Sequence, residues 1–133
     1  MNITNLKINK NRIILPKYTL INPGDKVGFI HDFKMTKLNI YKKEDLDLII
    51  EDFINTIDEL KNTKKITYKQ YLKIQRYFFG SCLYYDKEVD SNRRISIPKE
   101  ALNKLDIKDE VLVVNNDKRI ELYKDYKTYK NIK

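Results

Sequence analysis

Asp90-Ser91-Asn92-Arg93-Arg94-Ile95-Ser96-Ile97-Pro98-Lys99 is the stretch from which the rest of the chain can be read. Asp, Ser and Asn favour a turn, because their short polar side chains bond nearby backbone. The alternation Ile95-Ser96-Ile97 suits a half-buried strand. Pro98 ends that strand, having no N–H for a ladder, and it can open a helical turn. The unit has an echo 82 positions earlier, Arg12-Ile13-Ile14-Leu15-Pro16-Lys17. Leu38-Asn39-Ile40-Tyr41-Lys42 matches Ile120-Glu121-Leu122-Tyr123-Lys124 at the same spacing, and Asp25-Lys26-Val27 matches Asp109-Glu110-Val111 at a spacing of 84. An ordered series of matches of this kind reads as an internal duplication.

Working outward, the first copy predicts strands over 3–8 and 12–15, a brief helix over 17–21, and strands over 27–30 and 38–41. The second copy predicts strands over 83–89 and 94–97, a helix over 99–105, strands over 111–114 and 119–123, and a closing helix over 125–132. Between the copies the period changes. Leu46, Ile49, Ile50, Phe53, Ile57 and Leu60 recur at helical spacing with acidic residues between them. Thr67 followed by Gln70 is a capping-box signature, and Gly80 is read as the stop of the helix it opens. The expectation is an α+β fold of two ββαββ half-domains (1–43 and 81–133). A two-helix connector (44–80) joins them, and the halves pair about a pseudo-twofold axis because neither is large enough to bury both faces of its strands.

The 133 residues carry a net charge of +8, with +7 in residues 1–43, −4 in 44–66 and +5 in 67–133. Two basic lobes flanking an acidic segment point to a polyanionic partner. Lys, Ile and Asn together make up 53 residues, a bias that an AT-rich genome produces, so the five arginines are the more informative cations. One cysteine, Cys82, and one histidine, His31, argue against a closed zinc site or an internal disulfide. Cys82 reads as packing beside Phe79, and His31 as a half-buried strand residue. No Gly-rich phosphate loop and no nucleophile–base spacing is present, so no catalytic residue, cofactor, metal or small-molecule substrate is expected. No apolar run approaches the roughly 20 residues of a membrane span, and no signal peptide is visible at the start. The expected location is the cytoplasm.

With its motifs in view, the sequence resembles the MraZ family of bacterial DNA-binding regulators and, more broadly, the AbrB-type swapped-hairpin regulators. The resemblance rests on Asp90 to Arg94 followed by Ile95-Ser96-Ile97-Pro98-Lys99-Glu100, on Gln75-Arg76-Tyr77-Phe78-Phe79-Gly80, and on the Leu-x-Ile-Tyr ending of the first copy. In that copy Ile8 stands where the family has Asp, and Asn11 where it usually has Gly. The resemblance implies a swapped-hairpin β-barrel and a nucleoid-associated transcriptional regulator of a division and cell-wall gene cluster. It also implies a ring-shaped homo-oligomer on the promoter repeats of double-stranded DNA. An antitoxin-like or assembly module with the same fold is the alternative.

The resemblance further implies that the segments around the two copies' arginines face DNA. Arg12 and Arg94 carry the rigid fork that bonds guanine O6 and N7. Asn11 and Asn92 suit adenine, while Lys7, Lys10, Lys17 and Lys99 supply phosphate charge. Arg93 reads equally as a contact or as a solvated turn charge. Asp90 orients the turn, and Pro16 and Pro98 bound the strands.

Overall fold

A computed structural model describes residues 2–131, the side chain of Asp86 excepted. The first half supplies β1 (Asn2–Lys7), β2 (Arg12–Ile14), β3 (Lys26–His31) and β4 (Leu38–Lys42). Helices α1 (Lys43–Asn62) and α2 (Tyr68–Tyr77) follow, and a single π turn over Phe78–Cys82 leads into the second half. That half holds β5 (Leu83–Glu88), β6 (Arg94–Ser96), α3 (Lys99–Lys104), β7 (Glu110–Asn115), β8 (Ile120–Tyr123) and α4 (Tyr126–Asn131). The fold is α+β.

Two antiparallel sheets form, and each mixes the halves. The large sheet has the order β1-β7-β8-β4-β3-β5, and β2 pairs with β6 in a separate ribbon. The opening strand of each half therefore lies on the third strand of the other: β1 on β7, β5 on β3. The sheet order reads the same from either end once each strand is exchanged for its counterpart in the other half. The registers obey the same symmetry. Asn39 faces Glu121 at the β4–β8 seam and Ile13 faces Ile95 in the ribbon, each pair joining residues 82 apart. Equivalent positions at that spacing thus meet across a pseudo-twofold axis.

Burial explains why the exchange holds. One face of the large sheet presents Val27, Phe29, Leu38, Ile40, Val111, Val113, Ile120 and Leu122 to a core completed by Ile13, Leu15, Ile95 and Ile97 from the ribbon segments and by Ala101 and Leu102 of α3. Each of the Val, Leu, Ile and Phe side chains contributes about 1.5–3 kcal/mol when fully buried, and the core is built from both halves. The opposite face is covered in two pieces. Leu46 of α1 and Phe78 close over Ile30, Tyr41, Cys82 and Leu83, while Tyr129 of α4 closes over Leu112, Val114 and Tyr123. Leu46 comes so close to Gly28 that a Cβ there would collide with its side chain. A larger residue at position 28 would force the Leu46 side chain to shift.

The two predicted central helices form, and Thr67 and Gln70 make the reciprocal capping bonds. Two expectations about local structure need correction. Residues 17–20 form a turn, so the first half is not ββαββ. Asn22-Pro23-Gly24 cuts the segment short, and the Thr19 hydroxyl and N–H both bond the Pro16 carbonyl, at 2.9 and 3.1 Å. Such local bonding competes with helix. Gly80 does not end α2. It lies inside the π turn, which carries the chain straight into β5. Cys82 is buried in one cluster with Phe78, while Phe79 stays partly exposed. The part of the closing helix predicted at Ile132 lies outside the described residues.

His31 is deeper than expected, at 3 % exposure, with its ring edge-on to Tyr84 and both ring nitrogens without a hydrogen-bond partner among the described residues. Burial, helped by the charge of Lys104, pulls its pKa down to about 4. The unfolded chain takes up this proton near pH 6.5 and the folded chain only near 4. The part of the stability linked to His31 is therefore full above pH 6.5, is lost as pH falls toward 4, and changes no further below that. Urea unfolding is expected to show a loss of about 2 kcal/mol between pH 7.5 and 4.5. His31→Phe should remove most of that dependence. An equally steep loss in the variant would assign the titration elsewhere.

No helix among the described residues is long and apolar enough to cross a membrane.

Candidate functional site

The β2–β6 ribbon brings the two arginine motifs together. Arg12 lies opposite Ser96 and Ile14 opposite Arg94. Alternation along a strand puts residues two apart on one face, and opposed residues in an antiparallel pair share that face. Ile13 and Ile95, at 1 % and 0 % exposure, point into the core. Arg12, Ile14, Arg94 and Ser96 therefore form the outer face of the ribbon. Lys7, Ile8 and Asn9 join Arg12, Ile13, Ile14 and Arg94 around a shallow depression of about 510 Å³.

The turns that present these arginines differ. After β1, Lys10 and Asn11 have φ of 53° and 63°, and Asn9 and Arg12 exchange backbone hydrogen bonds at 3.0 Å. Two successive positive φ values between bonded partners mark a two-residue type I′ hairpin, for which Asn is well suited. The second turn has three loop residues, Ser91, Asn92 and Arg93. The Asp90 N–H donates to the Arg94 carbonyl and the Arg93 N–H to the Asp90 carbonyl, while Arg93 takes the left-handed position at φ 63°.

Asp90 is the reason for the difference. Its Oδ1 accepts from the N–H groups of Asn92 and Arg94 at 2.9 and 2.8 Å, and its Oδ2 accepts from Arg94 Nε at 2.9 Å. The Arg94 N–H bond, above all, holds its carboxyl below the usual range. Ile8, at the corresponding place in the first copy, has no acceptor to offer and packs against the core instead. Arg94 is thus braced. Arg12 makes no ion pair or side-chain hydrogen bond among the described residues.

Arg93 has a role that neither sequence reading contained. Its Nε donates to the Leu15 carbonyl, and its Nη2 reaches the Pro16 and Ile21 carbonyls and the Thr19 hydroxyl, all at 2.6–2.9 Å. The guanidinium satisfies the backbone of the turn where the first half has no helix. It ties the two copies together across the ribbon.

The remaining candidates surround this face without converging on it. Lys10, Lys17, Asn92 and Lys99 are exposed, and Asn11 is half-buried with its carbonyl accepting from Ile97 N–H at 2.7 Å. Antiparallel pairing sends Pro16-Lys17 and Pro98-Lys99 off opposite ends of the ribbon, and Pro98 stands at the N-cap position of α3 without a side-chain capping bond. Lys7 is the one lysine lining the depression. Ile14 was not singled out from sequence, although the spacing of 82 aligns it with Ser96 and so marks an outward isoleucine against an outward serine. Among the described residues, no cluster of His, Cys, Asp and Glu is placed to hold a metal.

No protein-family model matches the chain, and no curated protein sequence matches it.

Proposed function

We propose that the protein is a sequence-specific DNA-binding transcriptional regulator of the MraZ and AbrB-like type, reading double-stranded DNA with the outer face of the β2–β6 ribbon. One observation carries this reading: the register sets Arg12 and Arg94 on one solvent-facing surface about the pseudo-twofold axis. A two-stranded ribbon is narrow enough to enter a major groove, and an arginine fork matches the acceptors of guanine there. The reciprocal placing of β1 on β7 and β5 on β3 supports a swapped-hairpin fold. The net charge of +8 suits a phosphate backbone. A homo-oligomer on several promoter repeats would gain affinity through effective concentration. Repression of a division and cell-wall gene cluster belongs to this proposal, on the strength of the sequence resemblance.

The test is a titration of repeat-containing duplex followed by mobility shift and anisotropy. Binding should be cooperative, and its affinity should fall about 10³-fold or more between roughly 50 and 200 mM salt. No shift at the lower salt would overturn the proposal.

A second reading, an antitoxin-like or assembly module, is favoured by the exposed Phe33, Tyr77 and Phe79 beside the helical layer. On that reading the oligomer or a protein complex survives the loss of both Arg12 and Arg94, and no DNA is bound.

A further inference from the structure

We propose that Ile14 makes the DNA-reading face directional, so that the site it prefers is only half palindromic. This rests on the DNA-binding reading above. The strand pairing of the ribbon is symmetric about the Ile13–Ile95 pair, and its arginines stand at equivalent register positions. The next outward position does not: the first copy has Ile14 and the second Ser96. One end of the face therefore presents Arg94 with Ile14 opposite, and the other presents Arg12 with Ser96 opposite.

The two ends differ in what they can recognise. Ile14 is 61 % exposed and shares the depression with both arginines. The base-edge apolar feature in the major groove is the C5 methyl of thymine. An isoleucine beside an arginine therefore fits a thymine neighbouring the guanine that the arginine takes. The serine hydroxyl donates or accepts and accommodates either kind of base edge. The preferred site has a guanine in each half and a thymine beside it on the Arg94–Ile14 side alone.

The experiment is selection of bound sequences from random duplex DNA with the full chain and with Ile14→Ser and Ser96→Ile. The exposed position of Ile14 makes its substitution benign for folding, which matching melting temperatures will verify. The wild type should select a one-sided thymine, Ile14→Ser should lose it, and Ser96→Ile should make it two-sided. Replacing that thymine by uracil removes only the methyl. It should weaken wild-type binding about fourfold, the equivalent of roughly 0.8 kcal/mol for one buried carbon, and leave Ile14→Ser unchanged. Identical selected sites for wild type and Ile14→Ser, or no effect of uracil, would overturn the role of Ile14 while DNA binding stands. Failure of the wild type to select any sequence would overturn the DNA-binding reading and this inference with it.

Discussion

Arg94→Ala is expected to weaken binding to the selected operator by roughly 5- to 150-fold, the worth of one bidentate arginine–guanine pair at about 1–3 kcal/mol. Arg12→Ala should act in the same direction with a smaller effect. Both side chains lie on the outer face of the ribbon, but only Arg94 is braced, its Nε on Asp90 Oδ2 at 2.9 Å. A braced side chain gives up less rotamer freedom on binding, and immobilising a free one costs about 0.5–1.5 kcal/mol. More of the Arg94 contact therefore appears as affinity. The double variant should approach the sequence-independent binding of the lysines. Anisotropy against operator and scrambled duplex separates the effects, with light scattering to verify that the oligomeric state is the same in each variant. Equal binding by wild type and double variant would remove the ribbon from the proposed interface.

Arg93→Ala is expected to cost roughly 3–4 kcal/mol of stability, near the upper end for a single substitution. The one Nε–H and two Nη2–H groups of the guanidinium serve four acceptors in residues 15–21, and bonds from a charged donor are worth about 1.5–3 kcal/mol each before their overlap is allowed for. Arg93→Gly should be less damaging by about 1 kcal/mol. It loses the same bonds but relieves a non-glycine residue of its left-handed φ of 63°. Urea denaturation of the two variants isolates the bonds from the backbone term. A wild-type midpoint for Arg93→Ala would show that the turn at 16–21 holds without its arginine. The pair also bears on the chemistry of the face: Arg93 acts by positioning the ribbon's neighbour, so its loss should lower the melting temperature more than it lowers intrinsic DNA affinity.

The asymmetry between the copies runs through both expectations. Asp90 builds a three-residue turn that places Arg93 over the first half and holds Arg94 in line. Ile8 leaves the first copy with a shorter turn, closed by the backbone tolerance of Asn11. One turn is held by a carboxylate and the other by conformational preference, yet both deliver an arginine to the same face.

Much of this was legible in the sequence by itself. The duplication, the strand and helix periods, the capping box at Thr67 and the breaks at Pro16 and Pro98 are local properties, set by side-chain size, alternation and the missing proline N–H. They located eight strands and the two central helices. The turn motif from Asp90 to Arg94 was equally readable, because its bonds join residues four apart or fewer. What only the tertiary structure decided is which strands pair and what the long side chains do. Nothing local says that β1 leaves its own half for β7, since that choice depends on the area the exchange buries. The helix at 17–21 gives way to local bonds of Thr19 on the Pro16 carbonyl, but the role of Arg93 is a long-range fact, a guanidinium supplying donors to carbonyls more than 70 residues away. The burial of His31 and the meeting of Arg94 with Ile14 have the same origin. Hydrogen bonds and packing act through space, and the spacing of residues along a chain constrains only those that are near in both.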